Sequence, residues 1–446
     1  MPLPVICVPE GEIAAAGLSQ AHEGWAKANE FTGKAGKLLA LPGAEGGIEG
    51  YLFGLGVPAD RSPLILGLAA AALPAGSYRL EGAFGDPTLA ALGFRLGAYG
   101  YDRYVKAKER PTLELPEGAD AAEIELLVRS AFIARDFVNT PANDLGPEAF
   151  ERAIVDFARE HGAEVNVIRG DDLLAENFPM IHAVGRASTQ APRLVDFSWG
   201  DPAHPKLTLV GKGVTFDTGG LNIKPGNSMA LMKKDMGGAA NILGLANAVI
   251  DARLKVRLRV LIPVVENAIS GSAFRPGDIL PSRKGLTVEI GNTDAEGRLI
   301  LADALALADE EDPDLIIDMA TLTGAARVAL GPDLPPLYAR DEAFARSVLE
   351  HGAAVDDPLW AMPLWPGYDR LLASKIADVN HISSGGHAGS ITAALFLNRF
   401  IKKETDWVHL DIFAWAPEPR PGRPFGGTDQ GIRALYYALK ARYGTI

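Results

Sequence analysis

Residues 210–240 read VGKGVTFDTGGLNIKPGNSMALMKKDMGGAA and connect an apolar, strand-like run to an Ala- and Gly-rich helix that starts near Gly237. The roughly 25 residues between them are dense in glycine, lysine and aspartate, and connections of this length in compact domains are usually functional. Asp235, just ahead of the helix, could instead serve only as its N-cap. The segment contains four candidate functional side chains, which are Lys212, Asp217, Lys224 and Asp235.

A second polar segment, VEIGNTDAEGRLILADA at residues 288–304, also leads into a helix. Asp294 and Glu296 are separated by one residue, and in an extended stretch that spacing points both carboxylates to the same side. Carboxylates brought together repel one another, and a divalent cation removes that cost. A lone pair of this kind is more often exposed surface charge. Together with Asp217 and Asp235, however, it could hold two ions if some carboxylates bridge.

Outside these segments, strand-like and helix-like patterns alternate, which predicts an α/β domain with a mostly parallel central sheet flanked by helices. The expected strands are 165–168, 193–199, 207–210, 258–265, 315–319 and 407–413. The expected helices are 147–160, 237–250, 298–310 and 391–402. Sheets of this kind bind ligands beyond the carboxyl ends of their strands.

The first part of the chain predicts a smaller N-terminal α/β domain, with strands near 3–8 and 64–68 and a helix over 88–100. Residues 109–119 are rich in proline and charge and suggest a boundary. We therefore expect an N-terminal domain over 1–118, a linking helix over 119–138 and a catalytic domain over 139–446.

Composition excludes several classes of protein. Among 446 residues, 43 basic and 56 acidic side chains give a net charge of −13, which argues against binding to nucleic acid. The single cysteine rules out an internal disulfide, and the eight histidines are scattered, so a metal would be held mainly by oxygen. GKGVTFDTGG lacks the spacing of nucleotide-binding loops. No secretory signal or membrane-length apolar run is present, so we expect a cytoplasmic protein without membrane contact.

Other polar residues near the motifs are expected to have structural roles. Lys233 and Lys234 are interpreted as surface charges at a helix edge. His381 and His387, in HISSGGHAG, could be ligands, but the carboxylates already suffice, so we expect them in a loop or at a pocket rim. Cys7 is expected to be a small buried residue.

At its two polar segments the sequence resembles the leucine aminopeptidase family, the M17 cytosol aminopeptidases. VGKGVTFDTGG, IKP followed by MKKDMGGAA, and NTDAEGR carry the resemblance. Supporting matches over residues 130–430 are VNTPAND, PVVEN, RPGD, MATLTGA, GSITAALFL and HLDI, in family order. Thr218 stands where the family usually has serine.

The resemblance implies a two-metal centre with five ligands: Lys212, Asp217, Asp235, Asp294 and Glu296. Asp217 and Glu296 would bridge the metals, and Lys212 would bind as a neutral amine. The metals would be Zn²⁺ or Mn²⁺, with Mg²⁺ or Co²⁺ also possible.

The resemblance also implies roles for residues that do not bind metal. Lys224 and Arg298 would be catalytic, and Arg298 would hold a bicarbonate that moves protons. Met232, Ala388 and Ile391 would line the pocket for the first side chain, although all three could be ordinary core residues. The chain of the substrate would be held by Thr321, Leu322 and Thr323.

These features predict a metal-dependent aminopeptidase that releases N-terminal residues from peptides, preferably apolar ones such as leucine or methionine. One alternative is a dinuclear dipeptidase, for example one acting on Cys-Gly. Another is a DNA-binding architectural role, which the acidic charge disfavours. The resemblance also implies a homohexamer.

Overall fold

The computed structural model describes residues 1–446, which divide into two compact units. The first unit comprises Met1–Arg129 with Ala354–Asp356 and Ala416–Gly426, and the second comprises Ser130–Ala353, Asp357–Trp415 and Gly427–Ile446. The division falls inside the helix Ala121–Asn139, at the place where a linking helix is predicted. Because two later segments return to the first unit, linear boundaries do not describe it fully.

The first unit is built on a five-stranded sheet whose pairs are parallel except at one edge. In spatial order the strands are Leu38–Pro42, Ile48–Gly56, Leu3–Pro9, Gly76–Gly82 and Pro111–Leu113. The helices are Gln20–Ala28, Leu66–Ala72 and Pro87–Gly97, with 3₁₀ turns at Ile13–Ala16 and Pro58–Asp60. A smaller N-terminal α/β domain is thus confirmed, and Cys7 is buried as expected.

The strand predicted at 64–68 is wrong, because residues 64 and 65 form a turn and the rest of the stretch begins the helix Leu66–Ala72. A short apolar run does not distinguish a buried strand from a buried helix. Gly67 in this helix lies against Gly97 at the end of the helix Pro87–Gly97. A Cβ on Gly97 would lie 2.2 Å from the carbonyl oxygen of Gly67. Such closeness of backbones fits two helices that cross at glycines.

The second unit contains a nine-stranded sheet that is parallel at its centre, with antiparallel pairs on either side of the centre and one further parallel pair at one edge. Eight strands follow the order Trp360–Ala361, Pro336–Ala339, Trp407–Asp411, Leu315–Ala320, Lys206–Gly211, Arg257–Asn267, Arg193–Trp199 and Glu164–Arg169. The ninth, Gly213–Asp217, pairs in parallel with the end of Arg257–Asn267. All six strands predicted for this half are present, in a sheet that is mixed overall.

Helices cover the sheet of the second unit. They are Pro147–Glu160, Asp172–Ala175, Pro179–Gly185, Gly226–Met229, Gly237–Asp251, Gly297–Glu310, Gly324–Leu330, Glu342–Ala354, Gly389–Asn398 and Ile432–Tyr443. Three 3₁₀ turns lie at Met232–Met236, Thr293–Ala295 and Pro366–Leu372. Short strands lie at Ile279–Pro281, Thr287–Glu289, Val379–Asn380, Trp415–Ala416 and Gly426–Gly427. Measured by length and apolarity together, none of the helices is able to span a membrane.

The helix Gly237–Asp251 is buried on all sides and fixes the position of the polar segment before it. Its second residue is a glycine, and a Cβ there would lie 2.4 Å from the carbonyl oxygen of Met319. A Cβ on Gly211 would likewise lie 2.6 Å from the Cα of Ala239. The start of the helix therefore packs directly on two strand ends, which brings the residues before the helix to the edge of the sheet.

Candidate metal centre

The residues of both polar segments meet at the carboxyl ends of parallel strands. Lys212 follows the strand Lys206–Gly211, and Asp217 ends the strand Gly213–Asp217. Asp235 lies in the 3₁₀ turn Met232–Met236 that precedes the buried helix. The chain therefore brings side chains from three structural elements to one point, as parallel sheets favour.

Asp294 and Glu296 reach this point by a different local structure from the one predicted. Asp294 lies in the 3₁₀ turn Thr293–Ala295, and Glu296 stands directly before the helix Gly297–Glu310. The expectation of an extended stretch is therefore wrong. The two carboxylates converge because a tight turn runs into a helix, whose N-terminus also favours nearby negative charge.

Lys212 is buried at the centre of the cluster. Its Nζ lies 2.7 Å from Asp235 Oδ2 and 3.1 Å from Glu296 Oε1, and it donates to the carbonyl oxygen of Thr321 at 2.9 Å. Burial alone would lower the pKa of Lys212, but the surrounding carboxylates outweigh it and raise the pKa. Lys212 is therefore a charged ammonium in this arrangement.

Lys224 plays the corresponding part on the other side. Its Nζ lies 2.8 Å from Asp217 Oδ2 and 2.5 Å from Asp294 Oδ1. Burial lowers its pKa, but the carboxylates, Asp217 foremost, raise it above the usual lysine value. The two lysines thus hold four carboxylates in place.

The carboxylates are more numerous than the two ammonium groups can neutralise. Ligand oxygens of Asp217, Asp294 and Glu296 all lie within 4.8 Å of one another. Burial raises the pKa values of Asp217, Asp235 and Asp294, and the carboxylate of Glu296 raises them further. Buried carboxylates that repel one another, with one amine among them, fit hard divalent cations. The residues present therefore suit a metal centre.

Two residues that the sequence analysis did not single out hold the cluster together. Asn267 is fully buried and donates from Nδ2 to Asp217 Oδ1 at 2.8 Å and to the carbonyl oxygen of Thr293 at 3.0 Å. Thr293 Oγ1 donates to the carbonyl oxygen of Gly219 at 2.6 Å and thereby joins the two polar segments. The available signal for Asn267 was the pair of polar residues in PVVEN that ends a long apolar run.

Thr218, where the family usually has serine, uses its hydroxyl within the same loop. Oγ1 donates to the carbonyl oxygen of Asn267 at 2.8 Å and accepts from the backbone N–H of Gly220 at 3.1 Å. The extra methyl leaves these bonds intact, so the departure changes little here.

Arg298 and His381 lie together beside the cluster. Arg298 is buried, donates from Nη1 to the carbonyl oxygen of His381 at 2.7 Å and has no partner for Nε. Burial lowers the pKa of Arg298 to about 10. The orphaned N–H could take an anion such as bicarbonate, although Arg298 is not part of the cavity wall described below.

His381 lies in a loop, directly after the strand Val379–Asn380, which is one of its two expected positions, but its side chain is fully buried and is not at a pocket rim. Nε2 lies 2.9 Å from the carbonyl oxygen of Asn292, and Nδ1 accepts from the backbone N–H of Gly291 at 3.2 Å. Burial lowers its pKa to about 3, so the imidazole stays neutral. His387 lies exposed in its loop.

A cavity of about 260 Å³ opens beside the carboxylates. All five candidate ligands line this cavity, and its wall also contains Met232, Thr321, Leu322 and Thr323. Ala388 and Ile391 are not part of the wall: Ala388 precedes the helix Gly389–Asn398, and Ile391 packs against the core.

The groups expected to hold a substrate chain are partly engaged within the protein. Thr321 Oγ1 donates to Asp235 Oδ1 at 2.9 Å. The backbone N–H groups of Leu322 and Thr323 donate to Asp411 Oδ1 at 3.0 and 3.2 Å. Asp411 therefore orders this stretch of the cavity wall.

The surface role expected for Lys234 is wrong. Its side chain is only 5 % exposed, lines the cavity, and has its Nζ 4.4 Å from the centre of the Phe413 ring. Burial lowers its pKa to about 8. Lys233, by contrast, is half-buried and donates to the carbonyl oxygen of Asn139 at 2.7 Å.

Buried carboxylates at the ends of parallel strands, beside a cavity, are the construction of a metal-dependent α/β enzyme. Residues 132–436 match the cytosol aminopeptidase family, catalytic domain, and residues 2–116 match the M17 aminopeptidase N-terminal domain. The chain therefore belongs to the cytosol aminopeptidase family, whose members are metal-dependent hydrolases.

Individual relatives agree with this assignment. The chain is 38 % identical to a probable cytosol aminopeptidase of Geobacter sp. (strain M21), over 94 % of this chain and 91 % of the relative. The solved cytosol aminopeptidase from Coxiella burnetii is 43 % identical, with a TM-score of 0.94 over 99 % of this chain and 98 % of that one. The bottromycin maturation enzyme BotP in complex with Mn is 34 % identical, with a TM-score of 0.90 over 99 % of both chains.

Proposed function

We propose that this chain is a two-metal aminopeptidase that removes the first residue of peptides, preferably an apolar one such as leucine or methionine. The observation that carries the proposal is the convergence of four carboxylates and two lysines beside one cavity. The preference for apolar residues rests on Met232 in the cavity wall.

The proposed metal ligands are Lys212, Asp217, Asp235, Asp294 and Glu296. When bound, the metals would polarise the scissile carbonyl and supply an activated water at neutral pH. As a ligand, Lys212 would have to release the proton that Asp235 and Glu296 now stabilise. Mn²⁺ and Zn²⁺ are the first candidates, and Mg²⁺ and Co²⁺ also suit oxygen ligands with one amine.

Two further residues are assigned to proton and charge movement. The ammonium of Lys224 stands in the cavity wall, where it would stabilise the oxyanion that forms on the substrate. Arg298, with its unpaired Nε, would anchor bicarbonate, which would accept a proton from water and return it to the leaving amine. The backbone around Thr321, Leu322 and Thr323 would guide the substrate chain, and Ala388 and Ile391 would lie further along the first-residue pocket.

The proposal extends to assembly and location. A homohexamer of two stacked trimers, with active sites facing an interior cavity, is supported by resemblance to the family alone. A cytoplasmic location is supported by the family name. Light scattering at micromolar concentration tests the assembly, and a monomer would overturn it.

A substrate panel measured together with metal content tests the activity. The protein is treated with chelator, reloaded separately with Mn²⁺, Zn²⁺, Mg²⁺ or Co²⁺, and assayed on leucyl, methionyl and other aminoacyl amides. Metal-dependent release of apolar first residues is expected, and acetylation of the α-amine should abolish it. Efficient cleavage of acetylated peptides would overturn an aminopeptidase, and activity confined to Cys-Gly would indicate the dipeptidase instead.

A further inference from the structure

Besides the candidate ligands, the cavity wall contains two further cations, Lys234 and Arg327. Both lie against the ring of Phe413, with Nζ of Lys234 4.4 Å and Cζ of Arg327 5.6 Å from the ring centre. All three residues line the cavity. The assignments made above to metal and catalysis use none of them.

Lys234 carries a buried charge without a protein acceptor. Its side chain is 5 % exposed, and its Nζ forms neither a hydrogen bond nor an ion pair. Buried lysines are normally paired, because an ammonium removed from water loses its hydration. The face of Phe413 attracts the cation but offers no lone pair to its N–H donors. The donors are therefore open towards the cavity.

Arg327 is only half satisfied. Its Nη2 pairs with Asp411 Oδ1 at 2.6 Å and donates to the carbonyl oxygen of Asp411 at 2.7 Å, whereas Nη1 is buried and has no partner. Asp411 is itself saturated, because its oxygens also accept from the backbone of Leu322 and the hydroxyl of Thr323. Asp411 therefore pairs with Arg327 and forms no hydrogen bond or ion pair with Lys234, whose charge it influences only from a distance.

We propose that Lys234 and Arg327 form a subsite that binds a carboxylate of the substrate. Both residues line one cavity and each has a donor group without an acceptor, a combination that suits the two oxygens of a carboxylate. The inference rests on the proposed function, since it takes a peptide as the occupant of the cavity. It adds a recognition element to the same cavity that contains the candidate metal ligands.

The carboxylate can come from two parts of a peptide. It is either the side chain of an acidic first residue or the C-terminal carboxylate of a dipeptide. Met232, in the same 3₁₀ turn as Lys234, places the subsite next to the proposed first-residue pocket. Both sources present the same chemistry to the two cations.

Two pairs of substrates that differ only in charge separate the sources. Glutamyl and glutaminyl anilides differ at the first side chain, and Leu-Gly and Leu-Gly amide differ at the C-terminus. For metal-loaded wild type we expect kcat/KM to favour the charged member of one pair at least tenfold. In Lys234→Met that ratio should fall to near one, and Lys234→Gln serves if the methionine variant fails to fold.

Lys233→Met is the matched control, because it removes a neighbouring charge whose ammonium is already bonded to the carbonyl oxygen of Asn139. Its ratios should equal those of wild type. If wild type shows no preference in either pair, or if Lys234→Met keeps the wild-type ratio, the subsite is refuted. If Lys233→Met lost the preference for the charged substrate as fully as Lys234→Met, the subsite would also be refuted. A general change in electrostatic potential would then explain both results.

Calorimetry on the metal-loaded protein distinguishes this failure from failure of the proposed function. The probes are L-glutamate against L-glutamine, and Leu-Gly against Leu-Gly amide. If the protein hydrolyses no substrate, the aminopeptidase proposal fails, yet tighter binding of a charged probe that Lys234→Met abolishes would still support the subsite. Hydrolysis without any charge-dependent binding would refute the subsite alone.

Discussion

Gly297→Ala should expel the amine of Lys212 from the metal centre without harming the fold. A Cβ at this position would lie 2.3 Å from Lys212 Cε and 2.8 Å from Nζ. Ordinary carbon contacts are about 3.5–4.0 Å, so the lysine side chain must move by about 1 Å or more. Gly297 opens the helix Gly297–Glu310 without a positive φ, and alanine is a better helix former than glycine.

The displacement matters because Lys212 is tightly held. Its Nζ has contacts of 2.7, 3.1 and 2.9 Å to Asp235, Glu296 and the carbonyl of Thr321, and a shift of this size would break the hydrogen-bond geometry. Changes next to a metal ligand typically cost about 10–100-fold in metal affinity. We therefore expect metal affinity to fall within that range and turnover to fall with it.

Metal per chain after dialysis, a competitive chelator titration and turnover of a leucyl amide measure this effect. Gly271→Ala is the matched control, because a Cβ there meets nothing within 4 Å and its φ is not positive. A circular dichroism melt of both variants in chelator verifies the fold. If Gly297→Ala binds both metals as tightly as wild type, Lys212 is not a ligand and the assignment of the amine is wrong.

Three further predictions concern the same region. Asp294→Ala should lower the metal content per chain. Lys224→Ala should retain metal and lose roughly 10²–10³-fold in turnover, as loss of an oxyanion donor does. Equal loss of metal in both variants would contradict this division of roles. Arg298→Ala should also retain metal, with a smaller loss that added bicarbonate does not restore. His381, whose pKa of about 3 lies below its unfolded value, contributes stability above pH 6.5 that is lost as the pH falls towards 3, by about 2 kcal/mol at pH 5. Denaturant unfolding of His381→Gln should show a flatter pH dependence over that window, and an unchanged slope would exclude His381 as the source.

The sheet of the second unit was predictable because its signals are local. Runs such as 315–319 and 407–413 are mostly apolar, as is typical of strands buried on both faces, and both form strands. The run 64–68 failed because its form depends on a glycine contact with a helix thirty or so residues away, which periodicity does not report.

The candidate ligands were predictable for the same reason, whereas their geometry was not. Asp294 and Glu296 stand in one short motif, and their residue types indicate metal chemistry whatever the backbone does. The extended stretch assumed for them is a 3₁₀ turn that runs into a helix. Asn267 was missed because its partners lie in both polar segments and become neighbours only in the folded sheet.

Lys234 shows where sequence reasoning reaches its limit. Beside Lys233 it forms a pair of charges that normally faces water, yet the tight turn sends one ammonium to the carbonyl of Asn139 and the other under Phe413. Nothing within the motif MKKDMGG indicates which lysine is buried, because Phe413 lies far along the chain. The candidate ligands are therefore encoded by local motifs, whereas the burial of Lys234 is encoded by a distant contact. The proposed subsite thus separates the residues that identify the family from those that select the substrate, and relatives with the same ligands can differ in what they cleave.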